Sequence, residues 1–81
     1  MSAPKARVVA HKIRQSDQRI GIVVRYSCPL CGEEHGAGWH SPTSEGGDRV
    51  APCTVNPATG LGAYVALHWP GIPGSVSAAL I

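Results

Sequence analysis

The segment Cys28-Pro29-Leu30-Cys31-Gly32 constrains this chain more than any other. Two thiols three positions apart can reach one ion only if the backbone turns tightly between them. Pro29, with its fixed φ, and Gly32, with its freedom of φ, supply that turn. His35, His40 and Cys53 follow, so five of the chain's seven Cys and His residues fall between positions 28 and 53. Cysteine sulfur and histidine nitrogen in such density are the makings of a tetrahedral zinc site. Little else in the 81 residues carries chemistry.

Size gives the metal its importance. A domain this short draws only about 3–5 kcal/mol from its core. The chain has no Phe, two Trp and two Tyr, and its apolar residues are mostly small or β-branched. A structural zinc is associated with roughly 10–16 kcal/mol of apparent binding free energy in small zinc peptides. The three Cys are an odd number, which a disulfide framework would leave unbalanced. With no secretory pattern at the start and no apolar run near the ~20 residues of a membrane helix, the expectation is a cytoplasmic protein with reduced thiols.

Residues 1–27 carry Lys5, Arg7, Lys12, Arg14, Arg19 and Arg25 against Asp17, a net of +5. Residues 28–81 carry Arg49 against Glu33, Glu34, Glu45 and Asp48, a net of −3, and the two sum to the overall +2. A basic first third favours an anionic partner such as DNA or RNA, the alternative being an ordinary solvated surface.

Residues 1–5 read as a flexible N-terminus, 6–70 as the domain and 71–81 as a C-terminal tail, either a docked strand or a frayed end. Residues 6–14 form a strand with imperfect alternation, and Gln15-Ser16-Asp17-Gln18 a turn. Residues 19–27 alternate cleanly, with Ile20, Ile22, Val24 and Tyr26 on one face. Gly36 to Gly47 reads as a loop with a short strand near 37–40, and 49–53 as an extended return to the Cys cluster. Residues 61–69 alternate again, placing Leu61, Ala63, Val65, Leu67 and Trp69 together. Gly or Pro interrupts nearly every stretch after residue 28, so little or no helix is expected. The fold class is a small β-rich zinc-binding domain built from antiparallel hairpins.

Cys28, Cys31 and Cys53 are the expected thiolate ligands, with His35 as the fourth and His40 as the competing choice. A third set, Cys28, Cys31, His35 and His40, nearly reproduces the compact Cys-Cys-His-Cys knuckle and would leave Cys53 as a buried small residue. A ββα finger needs about twelve residues where only three separate Cys31 from His35. His11 and His68 read as strand surface residues, and Trp39 and Trp69 as core or site cover.

At Cys28-Pro29-Leu30-Cys31-Gly32, His35-Gly36-Ala37-Gly38 and Gly47-Asp48-Arg49-Val50-Ala51-Pro52-Cys53 the chain resembles small zinc-ribbon-like proteins of actinobacteria and their phages. The resemblance covers about residues 20–69 and implies Cys28, Cys31, His35 and Cys53 as ligands. The chain departs from that pattern in having Pro52 where a His often precedes the last Cys, and in a shortened stretch between Cys31 and Gly36. The resemblance implies no activity.

The expected function is that of a non-enzymatic structural-zinc module binding a macromolecule, with Arg7, Lys12, Arg14, Arg19 and Arg25 contacting nucleic-acid phosphates. The alternative is a protein-interaction adaptor that uses an apolar face or a sheet edge. The deaminase pattern of His-x-Glu with Pro-Cys-x-x-Cys is absent, as is His-Glu-x-x-His, and no small-molecule substrate is expected.

Overall fold

Two β-branched runs pair into the hairpin that organises the molecule. In the computed structural model, which describes residues 3–81, β1 spans Lys5–Ser16 and β2 spans Arg19–Ser27, joined by a two-residue turn at Asp17-Gln18. β3 (Glu34–Trp39) adds antiparallel to β2, with Tyr26 opposite His35 and Ile22 opposite Trp39. β4 (Glu45–Val50) pairs antiparallel with β5 (Tyr64–His68). β5 then lies parallel to the start of β1, setting Lys5–Arg7 beside Ala66–His68. The sheet order is β3-β2-β1-β5-β4. The hairpins are antiparallel as expected, while the seam that joins the two halves is parallel.

One face of the sheet is buried. Ala6 and Val8 of β1, Ile22, Val24 and Tyr26 of β2, and Val65, Leu67 and Trp69 of the β5 region line the core with Trp39. Ile20, Leu61 and Ala63, expected in the same stripes, are exposed, because the strand pattern runs on beyond the part of the sheet that anything covers. The N-terminal region is tied down sooner than expected. Lys5 already belongs to β1, and the Pro4 carbonyl accepts a hydrogen bond from the Ala66 N–H. The expectation of flexibility at residues 1 and 2 lies outside the described residues.

The C-terminal segment is neither a strand nor a frayed end. Gly74–Leu80 forms the short helix α1, opened by Pro73, whose carbonyl accepts from the Val76 and Ser77 N–H groups. Val76 is fully buried, and Leu80, one turn later on the same side, packs against the core. Two turns are too few for a helical period to stand out in a sequence.

The sheet curls until its two edge strands meet. Gly46 of β4 lies on the indole of Trp39 from β3, and the Arg49 guanidinium donates from Nη2 to the Gly38 carbonyl at 3.4 Å. Trp39 also meets Trp69 edge-to-face at 5.3 Å. A Cβ at position 46 would fall 2.4 to 2.9 Å from three indole carbons, so only glycine fits there. Gly46→Ala is expected to cost about 1–3 kcal/mol through overpacking, read as a lowered urea midpoint of the metal-loaded protein. An unchanged midpoint would show that the edges do not close on Trp39.

Candidate metal centre

The buried stripe of β2 runs straight into the metal site. Ile22, Val24 and Tyr26 alternate inward, and Cys28 is the next inward position, 1% exposed. The chain then turns. The Gly32 N–H donates to the Cys28 carbonyl at 2.9 Å, the Cys28 N–H donates to the Glu33 carbonyl at 2.8 Å, and Gly32 takes φ +79°, a value suited to glycine. This turn presents Cys31 and leads into β3, where His35 faces inward beside Tyr26, its ring edge-on at 5.9 Å.

Cys53 arrives from the opposite edge of the sheet. It sits in a 3-10 turn, Pro52–Thr54, directly after β4. Thr54 fixes that turn, since its Oγ1 donates to the Ala51 carbonyl at 2.7 Å and accepts from the Ala63 N–H at 2.8 Å. This clamp was not foreseen from the sequence. A Thr one residue after a ligand Cys is only a weak sign of it.

Cys28, Cys31, His35 and Cys53 thus converge, with their ligand atoms all within 4.8 Å of one another. The Cys28 and Cys53 sulfurs stand 3.7 Å apart, and Cys31 Sγ lies 3.2 Å from His35 Nε2. Two sulfurs each about 2.3 Å from a tetrahedral ion are separated by about 3.8 Å. The four groups therefore fit one tetrahedral metal ion. His40 is not among them. β3 alternates His35, Ala37 and Trp39 inward, so His40 follows on the other side and lies over Gly38, near 3.0 Å from where a Cβ would stand. His11 and His68 also lie outside the cluster.

The cluster's electrostatics call for a cation. Burial pushes the Cys28 thiol up, but the backbone N–H groups of Leu30 and Cys31 and the neighbouring thiols outweigh it and hold Cys28 below its ordinary value. Cys53 is pushed up to about 12 by loss of solvation and by the sulfurs of Cys31 and Cys28. Burial and the same three sulfurs raise the Tyr26 phenol. Three thiolates this close cannot form together without a positive ion among them.

Proton release should follow metal uptake. A metal competes with the protons on its thiols, so apparent zinc affinity is expected to rise from pH 6 to pH 8, with about two to three protons leaving per ion at pH 7. Calorimetry in buffers of different ionisation enthalpy would count them. Uptake indifferent to pH would show that the thiols are not the ligands.

The basic residues form a separate arrangement. β1 carries a bulge at Val9, between the Val8–Tyr26 and Ala10–Arg25 pairs. The extra residue shifts the alternation by one, so Arg7 before it and Lys12 and Arg14 after it all point away from the core. Arg19 and Arg25 of β2 share that side, as does Lys5. Arg25 is joined to Glu34 at 3.3 Å, the one ion pair among the described residues. A shallow groove on this face is lined by Ala10, Lys12, Arg14, Val23, Arg25 and Gly36, among others.

No protein-family model matches the chain, and no match is found among curated proteins or solved structures. The fold and site define the chain as a small β-rich domain with a Cys3His cluster suited to a metal ion. No helix among the described residues is long and apolar enough to cross a membrane.

Proposed function

We propose that the chain is a non-enzymatic structural-zinc module that binds nucleic acid through the basic face of its sheet. The observation that carries the reading is the segregation of charge. Five basic residues spread over 19 positions of sequence, Arg7 to Arg25, stand together on the side of the sheet opposite the core, and the bulge at Val9 is what aligns them. Sulfur-rich tetrahedral coordination suits zinc over hard cations such as magnesium or calcium. Four side-chain ligands fill a tetrahedral ion and leave no position for the water that a catalytic zinc needs, which favours a structural role. Zinc content by elemental analysis, followed by nucleic-acid binding across a salt series, tests both parts. Failure to bind any nucleic acid at low salt would overturn the functional part.

A second reading, a protein-interaction adaptor, draws on one feature. Val50, Val55, Leu61 and Tyr64 are exposed at one end of β4–β5, where Val50 pairs with Tyr64 and both valines border Gly62. Salt-insensitive capture of a single protein, with no nucleic-acid binding, would favour it.

A further inference from the structure

We infer that the far half of the β1–β2 hairpin enters the major groove of double-stranded DNA, an inference that rests on the nucleic-acid reading above. The hairpin is longer than the core beneath it. Every residue from His11 to Ile20 is exposed, on both faces of the ribbon, and Ile13 and Ile20 remain 42% and 51% exposed. His11 still packs its ring on Trp69 at 5.1 Å, and β3 flanks β2 as far as Ile22, but beyond the Ile13–Ile22 pair the hairpin is a free two-stranded ribbon, a shape the major groove accepts. That groove is about 12 Å wide and admits a β-ribbon, whose strands lie about 4.8 Å apart.

The ribbon's charge is suited to that position. Arg14 and Arg19 occupy one face of it and Lys12 the same face at its base, with Gly21 opposite Arg14 adding no side chain beside the guanidinium. Arg7, nearer the core on the same face, is placed for a flanking phosphate. Nearest the acidic β4 edge, Tyr64 is the one Tyr or Trp on this side of the sheet, because Trp39, Trp69 and Tyr26 are buried beneath it. Unpaired bases bind chiefly by stacking on aromatic rings, and the basic face of the hairpin carries none, His11 being turned to the core side beside Trp69. Charge without stacking rings favours a paired nucleic acid over a single strand. Double-stranded RNA has a deep, narrow major groove that side chains cannot read, so groove entry also selects DNA over RNA.

The test measures binding of the zinc-loaded chain to a labelled 20-base-pair DNA duplex, the RNA duplex of the same sequence and one DNA strand alone, compared at matched salt concentrations across a series. The DNA duplex is expected to bind at least about tenfold more tightly than either of the others. Dimethyl sulfate probing should show guanine N7, which lies in the major groove, protected by the protein. The double variant Arg14→Ala/Arg19→Ala alters only exposed side chains. It should keep its zinc and its tryptophan spectrum, weaken duplex binding, and flatten the salt slope by about two. Equal affinity for the RNA duplex, preference for the single strand, or unprotected N7 would overturn the inference while leaving nucleic-acid binding in place. Absence of binding to all three probes would overturn the nucleic-acid reading itself.

Discussion

Cys53→Ser is expected to unfasten the molecule. Cys28, Cys31 and His35 lie within one turn and the strand that follows it, whereas Cys53 comes from beyond β4 on the opposite edge of the sheet. An ion held by all four groups ties those edges together. Without Cys53 the remaining three can still hold zinc weakly, but the tie is lost. A core of this size contributes about 3–5 kcal/mol, against roughly 10–16 kcal/mol associated with a structural zinc. The near-ultraviolet circular dichroism of the buried Trp39 and Trp69 should therefore collapse in the variant, as it should in the native chain treated with a strong chelator. His40→Ala is the matched control. Its ring lies on the outer side of the sheet over Gly38, so zinc content and spectrum should be unchanged. A Cys53→Ser protein with one tightly held zinc and an intact tryptophan spectrum would show that the edges are not tied through Cys53, and a native spectrum unmoved by the chelator would show that the ion does not hold the fold together.

The second large effect concerns salt. Each phosphate neutralised on duplex DNA contributes about −0.9 to the slope of log affinity against log salt. Arg7, Lys12, Arg14 and Arg19 have no acidic partner among the described residues, while Arg25 is held by Glu34. Four to five contacts give a slope of about −3.6 to −4.5, or roughly a 150- to 500-fold loss of affinity between 50 and 200 mM salt. Glu34→Gln should release Arg25, tighten binding and steepen the slope by about one, with no effect on zinc content. Titrations at four salt concentrations would measure both. A flat salt dependence would mean that the basic face is a solvated surface and that any partner is held elsewhere.

Much of this architecture was legible before the coordinates. The alternation of Ile22, Val24 and Tyr26 marked the buried face of β2, and it also carried Cys28 inward, because a ligand at the next even step of the strand shares that face. Cys53 was the natural third thiol. The choice between His35 and His40 rested on strand alternation along β3, which the Gly-rich run Gly36-Ala37-Gly38 hid. The Val9 bulge left no sign except imperfect alternation in residues 6–14, yet it sets the side on which Lys12 and Arg14 emerge. The parallel pairing of β1 with β5 was illegible for another reason. It joins residues about 61 positions apart, and no local pattern encodes such a partner.

That distant pairing sets an order of events during synthesis. β1 can pair with β2 as soon as both have left the ribosome, the two being neighbours in sequence. Its other neighbour, Ala66–His68, emerges only 61 residues later. Until then Ala6 and Val8 face water, and the near end of β1 is an open edge ready to join another nascent strand. Lys5 and Arg7 alternate with those two residues on the same strand, where like charges on two copies repel. The basic residues of β1 therefore also guard the unfinished chain against its own kind.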